Sequence, residues 1–563
     1  MAVTPDPSPL PIRLARAVVR RVRHAGRRPT TASSTPKAAR RSDPTPPMQP
    51  FPPGMVIFAV DGVPRVHGGR TTSILTKARL FKEKAGKDSI LVTLYDSSQI
   101  DDLAHEFTER GILSEGLTLA SLHDFYPDYT EFTGVVVEHP IEEVGLQHRL
   151  NSDKGTYEYF DNGVLIMSKR FDYSGRLIVR DHFNGARTVT QSDEFWPDGS
   201  YRRQVFMDLY YGVARQELSF RHDGTLRLNV LWAVNPITRV RSPERVTLFD
   251  AEGRPERVLP NYEEILHSCL DELVGDQPAF ICCEARRIDP WLLSYHRSNV
   301  KKIFVLHNAH IRPPYNRIGQ IRPIYRPLLD RRHDVDAVVF LTEAQRADAE
   351  AHFGHTDGFY VIPHSAAPAA LDPQVVRDPN RIVMMVRLDQ QKRLPDAIKA
   401  FALVHRDFPA CRLEIYGRGP EEAALRTLIE SLGLAGSVIL AGYTNDPSSV
   451  YQSAGLSLLT SAYEGFGLAV LESLNNGCPV VSYDLRYGPS DIISHGQNGF
   501  LVTNGDIAAL ADQIKAVLAD PELLHQLSEA APMAAGAFSE DAFVARWSGL
   551  YNTLSRTLRS GAS

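Results

Sequence analysis

The chain has 563 residues, more than one hydrophobic core supports, so two or three domains are expected. With 43% apolar and 23% charged residues it has a globular composition, and a net charge of -5 argues against a protein built to coat nucleic acid. No apolar run approaches the roughly 20 residues of a membrane-spanning helix, and the N-terminus lacks the continuous apolar segment of a secretory signal.

Residues 1–54 are rich in Pro, Ser, Thr and Arg, a composition that cannot bury a core and is expected to form a disordered arm. The arm is basic, with ten Arg and Lys in residues 1–50 against Asp6 and Asp43, so the body is acidic. Leu14, Val18 and Val22 share one helical face while Arg16, Arg20, Arg23 and Arg27 take the other, so residues 10–28 offer peripheral contact with an anionic membrane surface. A solvated arm, or residues ahead of a later start at Met48 or Met55, is the alternative.

Order is expected from Met55. The apolar run Val56–Val60, the loop Asp61 to Arg70 with Gly68 and Gly69, and a helix to about Lys84 form the opening of a Rossmann-like unit at residues 55–130, with Ser89 to Leu94 as its next strand. Residues 131–258 differ. Short β-rich runs alternate with the turn signals Asp161-Asn162-Gly163, Tyr173-Ser174-Gly175, Pro197-Asp198-Gly199, His222-Asp223-Gly224 and Ala251-Glu252-Gly253, which predicts antiparallel hairpins inserted into the first lobe.

The α/β pattern resumes over residues 259–370, with strands at Ala279–Cys283, Ile303–His307, Ala337–Leu341 and Gly358–Ile362. A second lobe over residues 371–540 has strands near Ile382–Val386, Arg412–Tyr416, Val438–Leu440, Leu456–Leu459 and Val480–Tyr483. Strands separated by helices imply parallel sheets. Ala508 to Leu558 is expected to be helical and could pack back across both lobes, with residues 541–563 as a C-terminal helix and tail. The five cysteines, Cys269, Cys282, Cys283, Cys411 and Cys478, are odd in number and lack metal-ligand spacing. They are read as buried free thiols of a reducing, cytoplasmic protein.

The strongest chemical signal is the segment from Ser461 to Val481. Gly465 and Gly467 leave room for a ligand against backbone. A helix from about Leu468 directs free amides of Leu468 and Ala469 toward that space, an arrangement that binds phosphate. Glu472 lies one turn inside, placed to accept from ribose hydroxyls, and Glu464 lies on the loop, placed to hold sugar hydroxyls. Upstream, Arg387 and Lys392 follow a strand end at Val386, where ligands of open α/β sheets sit. Arginine makes planar bidentate contact to phosphate and lysine supplies a mobile charge.

Glu464 and Glu472 at this spacing, with Arg387 and Lys392 before them, resemble the glutamate-x7-glutamate motif and phosphate clamp of the retaining glycosyltransferases with two Rossmann-like lobes, the GT-B fold. The resemblance implies a metal-independent hexosyltransferase whose donor substrate is a nucleotide-sugar, with no further cofactor. It places Arg387, Lys392, Glu464 and His307 at the reacting sugar and phosphates. Gly68, Gly69, Gly417, Tyr443, Gly467, Leu468, Ala469 and Glu472 line the nucleotide, with Tyr443 against the base. His310 is a second polar candidate after His307. Asp334-Val335-Asp336 has the form of the metal triplet of the other major glycosyltransferase fold, but it precedes an apolar strand among Arg331, Arg332 and His333. It is read as a solvated strand entry, so no metal is expected.

Within the family, the β-rich insertion, with Val66-His67-Gly68-Gly69-Arg70-Thr71-Thr72 and Leu306-His307-Asn308-Ala309-His310, is similar to poly(glycerol-phosphate) α-glucosyltransferases and their relatives that decorate wall teichoic acid. That implies glucose or N-acetylglucosamine, a UDP donor, a polyanionic acceptor and self-association through the insertion. Arg202, Arg203, Arg239, Arg241 and Arg245 are candidates for a polymer-binding stripe, with solvated sheet residues as the alternative. Transfer to a protein or another glycan, or a non-catalytic partner subunit, stays open, and so does a two-lobed nucleotide-sugar epimerase or hydrolase.

Overall fold

The computed structural model describes residues 47–558, apart from 66–67, 95–99, 126–135, 153–154, 173, 237–240, 260, 316–318 and 368. The amphipathic face at residues 10–28, Val66, His67, Tyr173 and Arg239 therefore lie outside the described residues, as do the side chain of Arg241 and most of the basic arm.

The first lobe is built on a seven-stranded parallel sheet. Met55–Val60 lies beside Ala279–Cys283; Ser89–Thr93 and Leu117–Ser121 extend one side, and Val300–Val305, Ala337–Phe340 and Phe359–Val361 the other. Its central strands are apolar and buried on both faces, as a parallel sheet covered by helices requires. The order of strands reverses between Met55–Val60 and Ala279–Cys283. The loop carrying Gly68 and Gly69 leaves the carboxyl end at that reversal and enters the helix Gly69–Ala85.

Between Leu117–Ser121 and Ala279–Cys283 the chain runs through a ten-stranded antiparallel meander, from Gln147–Asn151 to Pro255–Leu259, in which each strand pairs with its sequence neighbours. The predicted turns close these hairpins. Asn162 and Gly163 both have positive φ, 46° and 79°, the conformation that an Asn-Gly hairpin turn demands. Val205, Leu228, Val230, Val246 and Leu248 join Leu266 and Leu270 of helix Glu263–Val274 in one core, which fastens the meander to the first lobe.

Arg202 and Arg203 drop out of the candidate arginine stripe, while Arg245 is exposed. Arg202 and Arg203 are adjacent on the strand Tyr201–Asp208 and therefore face opposite sides. Arg202 is buried with its guanidinium over the Trp196 ring, and Arg203 is paired to Glu194 at 2.6 Å. Neither is available to a polymer.

The second lobe holds a six-stranded parallel sheet in the order Val438–Gly442, Arg412–Tyr416, Asp378–Met385, Ala454–Leu459, Val480–Asp484, Gly499–Thr503. Here the order reverses between Asp378–Met385 and Ala454–Leu459. The loops leaving these two strands carry Arg387 and Lys392 on one side and Glu464 on the other, so both arrive at the crevice where such sheets take ligands. The edge strands Leu117–Ser121 and Gly499–Thr503 were not among the predicted elements. Helices Ile507–Leu518 and Pro521–Ala535 follow, and the last, Glu540–Ser555, returns to pack on the first lobe alone through Phe543, Trp547 and Tyr551.

Candidate active site

Two backbone links sew the second-lobe loops together. The Ala462 amide donates to the Gln391 carbonyl at 2.7 Å, and the Thr460 hydroxyl donates to the Lys392 carbonyl at 2.9 Å. Held this way, the Lys392 ammonium donates to Glu464 Oε1 at 2.6 Å, and the Ser461 hydroxyl donates to the same oxygen at 2.6 Å. Arg387 is exposed and pairs with Asp389 at 2.9 Å. Across the crevice lies Gly68 of the first lobe, where a methyl group would come 3.6 Å from Arg387 Cδ; one on Gly69 would come 3.8 Å from Leu468 Cδ1. The glycine loop thus faces the cation-bearing loop.

Gly467, at φ +90°, begins the helix Leu468–Asn475. The amides of Val470 and Leu471 bond back to the Gly467 carbonyl, which leaves those of Leu468 and Ala469 without an intrahelical acceptor. Glu472 is partly buried with no cation beside it among the described residues, and burial pushes its carboxyl up to about 7. At the far end Ser457 and Ser473 hydroxyls meet at 2.6 Å and Ser473 donates to the Cys478 carbonyl, locking the Gly-Cys-Pro turn. Tyr443 is exposed at the rim. Gly417 has a packing role: a methyl there would fall 1.7 Å from the Val386 carbonyl oxygen, so glycine lets the strand ends close beneath Arg387.

His307 follows strand Val300–Val305 by two residues and meets the Glu464 loop directly. A methyl on Gly465 would lie 2.2 Å from the His307 carbonyl oxygen. Sequence reasoning missed what holds this histidine. Its Nε2 lies 2.6 Å from Glu284 Oε2, and Lys77 pairs with the other Glu284 oxygen. The His307 ring stacks on His364 at 5.7 Å, and His364 Nδ1 is 3.0 Å from the Ser73 hydroxyl. Burial opposes the Glu284 charge, but Lys77 and His307 outweigh it and hold that carboxyl down to about 2. Burial lowers His307 and brings His364 down to about 3, so both rings are neutral at ordinary pH. An ionised Glu284 therefore accepts from His307 Nε2–H and leaves Nδ1 as an acceptor, a tautomer assigned from that hydrogen bond.

His310 takes no part. It is fully buried, stacks on Tyr487 at 5.9 Å and has no partner on either ring nitrogen among the described residues; burial lowers it to about 4. Asp334 accepts from Arg331, and Asp336 from Lys301 and the Lys302 amide, so these carboxylates are committed to the strand entry. All five cysteines are buried, and none forms a disulfide among the described residues.

Residues 372–533 match the family described as glycosyl transferases group 1. The chain is a glycosyltransferase built on a group 1 domain. It is 25% identical to a poly(glycerol-phosphate) alpha-glucosyltransferase of Bacillus subtilis, over 88% of this chain and 75% of that protein. It is 28% identical to a poly(ribitol-phosphate) alpha-N-acetylglucosaminyltransferase of Staphylococcus aureus, over 86% of this chain and 97% of that one. Among solved structures, Staphylococcus aureus TarM, crystallised with Fondaparinux, alpha-GlcNAc-glycerol and UDP, superposes with a TM-score of 0.72 at 20% identity, covering 89% of this chain and all of that one. The glycosyltransferase shares with it the GT-B fold, two Rossmann-like lobes with a β-rich insertion in the first. No helix of the described residues is long and apolar enough to cross a membrane.

Proposed function

We propose that this glycosyltransferase moves glucose or N-acetylglucosamine from a UDP-sugar onto a polyol-phosphate polymer of the teichoic-acid type. Transfer occurs with retention at the anomeric carbon and without a metal ion, on the cytoplasmic face of the membrane. The names of the two curated relatives support the acceptor class. The observation that carries the assignment is the meeting of Lys392, Glu464 and the His307 backbone at the face opposite Gly68.

Departure of the nucleoside diphosphate builds negative charge on the β-phosphate and positive charge at the anomeric carbon. Arg387, Lys392 and the amides of Leu468 and Ala469 are preorganised for the first, in a crevice where charge is poorly screened. Lys392 bridges the leaving phosphate and Glu464, whose carboxylate holds sugar hydroxyls. The Glu472 carboxylate takes the ribose hydroxyls, Tyr443 lies against the base, and Gly68 and Gly69 admit the phosphates. His307, held by Glu284, sets the backbone against which the Glu464 loop rests beside the donor sugar. Self-association through the ten-stranded sheet is part of the same proposal.

The test is nucleotide release from a panel of UDP- and GDP-sugars, with and without glycerol-phosphate polymer, followed by NMR of the product's anomeric proton. The expected result is polymer-stimulated UDP release and an α-linked product. Release with none of the donors, or an inverted linkage, rejects the assignment.

A further inference from the structure

We infer that Arg322, with Arg312 and Arg287 at its flanks, forms a subsite for the acceptor phosphodiester next to the hydroxyl being glycosylated. The inference rests on the polyol-phosphate reading above and names the residues that would recognise that acceptor.

After the His307–His310 segment the chain leaves the first lobe as a ribbon. It is closed by the Ile311–Ile321 bridge, by the Arg312 amide on the Gln320 carbonyl at 2.7 Å and by the Arg322 amide on the His310 carbonyl at 2.8 Å. Tyr315 of the ribbon packs against Tyr463 of the second lobe at 5.0 Å. The Arg322 guanidinium lies over the same Tyr463 ring at 5.0 Å and over Tyr325 at 6.0 Å. It donates to the Ala309 carbonyl at 3.2 Å, and it has no carboxylate partner among the described residues. Tyr463 directly precedes Glu464. The guanidinium is thus fixed by two aromatic faces one residue from the Glu464–His307 meeting point.

Two more arginines border it. Arg312 is exposed at the foot of the ribbon, and Arg287 is exposed on the short turn Arg286–Ile288, which packs against the turn Pro323–Tyr325. Neither has a carboxylate partner among the described residues. Nearby arginines are committed elsewhere: Arg70 pairs with Asp61, Arg65 with Asp102 and Glu106, and Arg286 with Asp289. In an acidic body, three unneutralised guanidinium groups on the rim beyond the donor site are a place for an anion that the donor does not supply.

The chemistry of the acceptor fits that position. In a polyol-phosphate chain the accepting hydroxyl is separated from the nearest phosphodiester by two carbons, so a hydroxyl presented to the donor sugar beside the Tyr463–Glu464 segment brings its phosphate within a side chain's reach. A planar guanidinium binds a phosphodiester bidentately, and stacking on Tyr463 and Tyr325 restrains it beforehand. An uncharged glycan or a serine hydroxyl in a peptide would leave the subsite empty.

The test measures steady-state transfer from the UDP-sugar to glycerol-phosphate polymer and to an uncharged polyol of matched length, with UDP binding by calorimetry. Arg322→Met keeps the stem packing and removes the charge. It is expected to raise the polymer KM at least tenfold with UDP affinity unchanged, while Arg322→Lys recovers part of the loss. Arg312→Ala, a surface change that leaves folding intact, is expected to raise the polymer KM about threefold and to weaken its salt dependence. Polymer KM unchanged in both Arg322→Met and Arg312→Ala overturns the subsite while leaving the acceptor class standing. Wild-type protein that uses the uncharged polyol or a serine-rich peptide as well as the polymer overturns both.

Discussion

In the proposed donor site, Arg387 and Glu472 carry opposite burdens. Arg387 is exposed and, among the described residues, is held by Asp389 alone, so it is free to turn onto a phosphate. Arg387→Ala removes one charge-assisted hydrogen bond of roughly 1.5–3 kcal/mol, and kcat is expected to fall at least tenfold in a UDP-release assay. Wild-type turnover in that variant would remove Arg387 from the phosphate site. Glu472 is the reverse case, a carboxyl whose burial raises it to about 7. Its anion is the better acceptor for ribose hydroxyls, and the anion is depleted as pH falls through 7. UDP affinity is therefore expected to drop about tenfold between pH 8 and pH 6 by calorimetry. In Glu472→Gln the affinity is expected to be weaker but flat over that range; a slope that persists in the variant would place the titrating group elsewhere.

At the scale of elements, legibility followed burial. Central strands such as Val56–Val60 and Ala279–Cys283 are continuous apolar runs because helices cover both faces, and the sequence pattern located them. The edge strands Leu117–Ser121 and Gly499–Thr503 are interrupted by polar or small residues, Thr118 and Ser121 in one and Gly499 and Thr503 in the other, so they carry no such run. Five glycine-bearing turn signals marked hairpins, but Asn184 to Thr188 closes one with Arg187 at positive φ, and Asp208 to Gly212 another, neither of which was among the predicted turns. The proposed second-lobe site was legible because Arg387, Lys392, Glu464 and Glu472 sit on two continuous segments. The Lys77–Glu284–His307 link was not, since its members come from one helix and two strand ends joined only by the folded sheet. Gly465 shows how such links become tests. Its φ is unremarkable for any residue, yet a methyl would lie 2.2 Å from the His307 carbonyl oxygen. Gly465→Ala must push the Glu464 loop off the first lobe, at a cost of about 1–3 kcal/mol for overpacking. The expected signature is a kcat lowered at least tenfold with UDP affinity changed less than threefold, since the proposed charged and amide contacts to the nucleotide lie on the second lobe. Equal loss in both would mean that the loop, and not the meeting of lobes, is damaged.

Over the whole molecule, the order of the chain and the order of the cores disagree. The first lobe is opened by the ten-stranded meander and completed only by the last helix, Glu540–Ser555, which arrives after the entire second lobe. Trp547 is 2% exposed, sits against Phe81 and Tyr551 at ring distances of 6.2 and 6.0 Å, and carries the Lys77 ammonium 4.4 Å above its ring. That ammonium is the partner of Glu284, so the helix that closes the first core also seats the charge behind His307. Trp547→Ala removes a large aromatic from a closed core, a loss of about 3–5 kcal/mol. A chain of this size is expected to unfold in more than one cooperative step, and the loss should fall on the first-lobe transition alone. Differential scanning calorimetry is expected to show that transition move down while the second-lobe transition, which UDP raises, stays in place. Turnover should fall at temperatures where both lobes are still folded, because Lys77 loses its aromatic seat; Trp547→Phe, which keeps a ring under the ammonium, should retain most of it. Both transitions shifting together would mean that the final helix braces the two lobes as one unit, and would reject its assignment to the first core.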